Sequence, residues 1–175
     1  MRNLFLLFVF SFLCFWGTSL VTGQVSVKSI KGRVVRIIDG DTFDFLSGST
    51  VYRIRLAGID CPEKGQPFGS RAKEELGKWC AGKHLIVKYT LKDRNGRLIG
   101  DVYSSNNEWL NYQMVQTGFA WHFKKYSSSR QLAEAEVYAR TKRVGLWKDP
   151  DPVAPWLWRS LHKSRKKSQG VTGKM

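Results

Sequence analysis

The chain has 175 residues, 29 lysines and arginines against 14 acids, and a net charge of +15. One compact domain with a real core accounts for that length, and no internal repeat suggests a larger array. The basic excess favours a polyanionic partner such as nucleic acid, anionic lipid or a heparin-like glycan, and by itself it does not choose among them.

Residues 1–23 read as a secretory signal. Arg2 supplies a positive start, residues 4–16 are apolar except for Ser11, and Val21-Thr22-Gly23 offers small residues for cleavage. The apolar stretch is near the lower limit for a membrane span, and Gly17, Thr18 and Ser19 dilute its end. Cleavage leaves 152 residues with a net charge of +14. Residues 24–30 are expected to be a linker.

Residues 32–38 are β-branched and loosely alternating, and the strand turns at Asp39-Gly40. Residues 42–46 and 51–56 form a hairpin across Ser47-Gly48-Ser49, and residues 85–91 and 98–103 a second around Asn95-Gly96. Helices are predicted over 70–79 with Gly82 as the stop, over 108–117 with Asn107 as N-cap and Gly118 beyond, and from Ser128 or Ser129 to about 143. Beyond Trp147 the prolines at 150, 152 and 155 argue against regular helix, Trp156 and Trp158 pack back onto the domain, and residues 161–175 form a basic tail. This pattern alone gives an α+β class.

Three segments concentrate the chemistry: Asp39-Gly40-Asp41-Thr42, the run from Ile54 to Glu63, and Asp93-Arg94-Asn95-Gly96-Arg97. Asp41 and Asp60 both stand where a strand meets a turn, and carboxylates joined by carbonyl and water oxygens select a hard cation. Glu63 follows Pro62, which fixes its turn. Arg55 and Arg97 offer planar donor forks suited to phosphate. Taken singly, each of these residues has an ordinary structural explanation; taken together they describe metal-assisted cleavage of a phosphodiester.

In this order the segments closely resemble the staphylococcal nuclease family, over about residues 31–160. The resemblance implies an OB-fold-type five-stranded β-barrel with three packed α-helices. It also implies an exported calcium-dependent nuclease that hydrolyses DNA and RNA, prefers single-stranded or fraying substrate and leaves 3′-phosphate ends. Asp41 and Asp60 match the family's calcium-binding aspartates, and the main-chain carbonyl of Cys61 completes that set. Glu63 matches the general base or orienter of the attacking water, and Arg55 and Arg97 match the phosphate-gripping arginines. Lys124 and Tyr126 fall near the nucleotide pocket and are the candidate substrate-binding residues. The family's tyrosine beside the second arginine is Asn95 here, and Lys124 stands where another tyrosine is usual.

Ca²⁺ is thus the expected cofactor, nucleic acid the expected partner, and a secreted or periplasmic monomer the expected form. The alternative is a non-catalytic nucleic-acid-binding module on the same barrel. Cys61 and Cys80 leave a disulfide open in an exported protein. With His84 they lack the paired short spacing of a zinc site. His122, between Trp121 and Phe123, reads as packing.

Overall fold

Alternation along the strands builds the barrel interior. In β3 (Thr50–Leu56) Ile54 and Leu56 are buried while Arg53 and Arg55 face outward. In β6 (Leu98–Ser104) Leu98, Gly100, Val102 and Ser104 point inward. The computed structural model describes residues 26–172, with side chains to residue 163. The expected signal over 1–23 lies outside the described residues.

β1 (Lys28–Ile37), β2 (Thr42–Ser47), β3, β6 and β5 (Leu85–Lys92) close in that order into a five-stranded barrel. All neighbours are antiparallel except β3 and β6, which run parallel with Arg55 opposite Ile99. Both predicted hairpins form, and Gly96 takes φ 77° at the second turn. β1 begins earlier than expected: Lys28, Ser29 and Ile30 pair with Tyr89, Lys88 and Val87, so part of the presumed linker is barrel. A separate pair, β4 (Ile59–Asp60) and β7 (Trp121–His122), sits outside the barrel.

Three helices cover the barrel core. α1 (Gly69–Cys80) buries Ala72, Leu76 and Cys80, and α2 (Leu110–Gln116) buries Leu110, Met114 and Val115. α3 (Arg130–Thr141) buries Leu132, Ala135 and Ala139, and Ser129 caps it by accepting the Leu132 amide. The cap expected at Asn107 does not form. Asn107 takes φ 62°, α2 starts three residues later, and Ser104 Oγ accepts the amides of Asn106 and Glu108 instead.

The C-terminal segment differs most from expectation. A short 3-10 turn (Gly145–Lys148) leads to a fourth helix, α4 (Pro155–Thr172). Pro155 does not break this helix because it occupies the first turn, where an amide donor has no intrahelical acceptor. The stretch read as a basic tail is therefore helical to Thr172. Trp156 does pack back, edge-on to Trp121 at 5.5 Å and parallel to Phe123 at 5.2 Å, whereas Trp158 stacks on His162 of its own helix. A second apolar cluster of Trp121, Ala139, Leu146, Trp147 and Ala154 seats the start of α4.

Candidate active site

The loop from β1 to β2 is a tight acidic turn. The amides of Ile38 and Asp39 donate to the Thr42 carbonyl, and the Asp41 amide donates to Asp39 Oδ1 at 3.1 Å. Thr42 Oγ1 donates to Asp41 Oδ1 at 3.0 Å, and the Cys61 amide donates to Asp41 Oδ2 at 2.9 Å. Gly40 makes this approach feasible, since a Cβ there would lie 2.7 Å from Ala72 Cβ and 2.8 Å from Cys61 Cβ.

Arg55 projects outward from β3 and is nearly buried. Its guanidinium pairs with Asp41 through Nη1 and with Asp60 Oδ1 through Nη2 at 2.9 Å, and Nη2 also donates to the Ile59 carbonyl at 3.3 Å. The two candidate metal ligands therefore converge on one arginine. Burial alone would raise the Asp41 carboxyl, but the Arg55 charge and the Cys61 N–H outweigh it and hold that group below the usual range. At Asp39 burial and the adjacent Asp41 charge outweigh the Asp41 amide and the more weakly felt Arg55, and push it up to about 6.

Glu63 stands on the loop from β4 to α1. Its amide donates to Gln66 Oε1 at 3.0 Å, and Gly69 lets the loop lie close, since a Cβ there would be 2.2 Å from the Glu63 carbonyl oxygen. The Glu63 carboxylate meets Arg159 of α4, whose Nη1 donates to Glu63 Oε1 at 2.5 Å and to Asp60 Oδ1 at 3.2 Å. Arg159 Nη2 donates to Asp60 Oδ2 at 2.8 Å.

Sequence reasoning missed Arg159 and Gln66. The only local signal for Arg159 is its place in a Pro-Trp-Leu-Trp-Arg run, in a stretch whose prolines argue against regular helix. Gln66 is buried and donates to the Val153 carbonyl at 2.7 Å, so it ties the Glu63 loop to the approach of α4.

Arg97 is placed differently. Its Nε and Nη2 both meet Asp93 Oδ2 at 2.8 Å, and Asp93 Oδ1 accepts the amides of Asn95 and Arg97. It shares a face with Arg55: it precedes β6 by one residue, and Ile99, two positions on, lies opposite Arg55. Its ion pair is nevertheless with Asp93 and not with the carboxylate cluster.

Lys124 and Tyr126 line an open groove of about 580 Å³, together with Phe123, Lys125, Trp156 and Arg159. Tyr126 is 69% exposed and edge-on to Phe123 at 4.9 Å, while Lys124 pairs with buried Glu136 at 3.3 Å. Arg159 belongs to both the groove and the carboxylate cluster. His122 is buried in β7. Cys61 and Cys80 are buried free thiols; burial pushes Cys61 well up and Cys80 up to about 12.

The donor chemistry suits a hard divalent cation. Asp39, Asp41, Asp60 and Glu63 face Arg55 and Arg159, which leaves two negative charges when all four acids are ionised. Among the described residues no three His, Cys, Asp or Glu side chains form a ready-made metal cluster. Asp41 and Asp60 would therefore need main-chain and water oxygens to complete a coordination shell.

A closed α+β barrel of the OB type, with carboxylates, guanidiniums and a basic aromatic groove beside one another, is a domain equipped to handle a nucleic-acid phosphate. The sequence from residue 53 to 149 matches the family model described as staphylococcal nuclease homologue. The chain is 41% identical over 155 residues to the Shigella flexneri protein named micrococcal nuclease, covering 83% of this chain and 89% of that one. It is 41% identical over 135 residues to an Escherichia coli O157:H7 protein named an uncharacterized endonuclease, covering 77% and 88%. Against the Arabidopsis thaliana staphylococcal-like nuclease CAN1 it is 45% identical over 108 residues, 62% of this chain and 33% of that one. The chain belongs to the staphylococcal nuclease family.

Proposed function

We propose that the protein is an exported, calcium-dependent nuclease that cleaves DNA and RNA, acts as a monomer, favours single-stranded or fraying substrate and leaves 3′-phosphate ends. The observation that carries this reading is Arg55 held between Asp41 and Asp60, with Glu63 joined to the same Asp60 through Arg159.

Asp41 and Asp60, with the Cys61 carbonyl, would hold Ca²⁺. When bound, the ion supplies Lewis acidity and lowers the pKa of nearby water. The chain's own residues do the rest. Arg55 and Arg97 present donor forks to the phosphate oxygens and offset the charge that grows on them at the pentacoordinate transition state. Glu63 orients the attacking water and takes its proton as the new O–P bond forms and the bond to the 5′-oxygen breaks. The leaving oxygen takes its proton from solvent. Lys124 and Tyr126 flank the path of the strand, one by charge and the other by stacking.

The test is cleavage of single-stranded DNA by the purified domain in Ca²⁺ and then in chelator. Cleavage that chelation stops is the expected result. Full activity in chelator overturns the metal assignment. Binding without cleavage in Ca²⁺ favours the non-catalytic module.

A further inference from the structure

The family match ends at residue 149, yet the carboxylate cluster is completed from beyond it. Arg159 lies 96 positions from Glu63 and 99 from Asp60, and it contacts both. We propose that α4 brings Arg159 into the active site as a positioning residue, which sets the Glu63 carboxylate against Asp60 for the reaction. This rests on the nuclease reading given above and adds a residue to it.

Two observations make the contact a built one. Arg159 is one turn into a helix whose start is anchored by buried Ala154 and by Trp156, which stacks on Phe123 and meets Trp121 edge-on. The opposite side is anchored as well, because Gln66 bonds the Glu63 amide through Oε1 and the Val153 carbonyl through Nε2. The guanidinium and the carboxylates it meets are thus held to one another by an apolar seat and a buried amide bridge.

The chemistry of the contact fits positioning. Glu63 is on a loop, its side chain is 38% exposed, and its carboxylate pairs with Arg159. An exposed glutamate without a partner samples several rotamers. A planar fork that also grips Asp60 at two oxygens restricts Glu63 and fixes its distance from the candidate metal ligand. Arg55 and Arg159 take three of the roughly four acceptor sites of the Asp60 carboxylate, which leaves one on Oδ2 for a cation but sets positive charge beside it. Removing Arg159 therefore makes the site more negative and leaves cation binding as strong or stronger.

The experiment uses the full-length mature protein with Arg159→Gln, Arg159→Lys, Glu63→Gln and the Arg159→Gln/Glu63→Gln double variant. Cleavage of single-stranded DNA gives kcat and KM, calorimetry gives Ca²⁺ affinity, and thermal melts report the fold. Arg159→Gln should lower kcat by about 10–100-fold, as loss of a partner that orients an active-site ligand does. KM should change little, and Ca²⁺ affinity should hold or rise. Arg159→Lys should recover part of kcat, since it keeps the charge and loses the fork. In the Glu63→Gln background, removal of Arg159 should cost little more, because it acts through Glu63.

Near-normal kcat in Arg159→Gln overturns the proposal, and so do fully additive losses in the double variant. A Ca²⁺ affinity that weakens in step with kcat overturns it too, since Arg159 would then serve the metal site or the fold. An inactive wild-type protein brings down the nuclease reading and this inference together, whereas an active wild type matched by Arg159→Gln brings down this inference alone.

Discussion

The Cys61 main-chain N–H donates to Asp41 Oδ2 at 2.9 Å, across twenty positions of sequence. That bond joins the acidic turn after β1 to the end of β4, so the two candidate metal-binding carboxylates are held as one unit rather than by two independent loops. With the Arg55 charge, the larger influence, this bond holds the buried Asp41 carboxyl below its usual range, whereas Asp39 beside it is pushed up to about 6.

Gly40 is the weak point of that unit. A Cβ at this position meets Ala72 Cβ and Cys61 Cβ below 3.0 Å, and neither can swing aside. Gly40→Ala is expected to cost about 1–3 kcal/mol of stability, the range for overpacking a fitted contact. It should also weaken Ca²⁺ binding by separating Asp41 from Cys61. Urea unfolding and calorimetry measure the two effects; an unchanged midpoint with unchanged affinity refutes the argument.

Arg55 and Arg97 should respond differently to lysine. Both substitutions keep the charge and lose the planar fork, so turnover should fall by roughly 10²–10³, as when one transition-state donor is removed. Binding of single-stranded DNA at low salt should persist in both. Arg55 is nearly buried between two carboxylates, so Arg55→Lys should also lower the melting temperature, while Arg97→Lys disturbs only a turn held by Asp93. Kinetics beside thermal melts separate the two cases, and equal loss of stability in both would contradict the geometry.

Glu63→Gln preserves size and removes basicity. The fold should survive, because the Glu63 amide and carbonyl, not its carboxylate, make the bonds that shape the loop. The rate should fall by roughly 10²–10⁴, the range for a general base. A variant with near-normal kcat would show that another group handles the water.

Asp44 offers a pH test away from the site. Arg53 and Arg36 both donate to its carboxylate from the neighbouring strands and hold it below the ordinary carboxylate range. A depressed folded value means that the contribution is fully present above the unfolded value near pH 3.9 and is lost as pH falls through the folded one. Asp44→Asn should therefore be less stable than wild type at pH 7, and the gap should close below about pH 3.9. Melting temperatures taken across that range decide it; a gap that persists at the acid end means the loss comes from packing.

The sequence by itself determined the hairpins and three of the helices, because those follow from short-range rules, whereas the barrel was implied by the resemblance of its motifs and is closed by the long-range pairs β1–β5 and β3–β6. Period-two burial at Ile54 and Leu56, the turn at Asn95-Gly96, and the serine cap before α3 depend on residues a few positions apart. It also singled out Asp41, Arg55, Asp60 and Glu63 as a group, since their segments carry recognisable spacing. Only the tertiary structure decided which cation meets which carboxylate. Arg97 closes on Asp93 within its own turn, while Arg159, in a stretch that prolines had marked as irregular, reaches Asp60 and Glu63. A proline's effect depends on whether its missing amide falls in the first turn of a helix, and Pro155 falls there. The partner of an arginine nearly a hundred residues away depends on where Trp156 packs, and no local pattern encodes that contact.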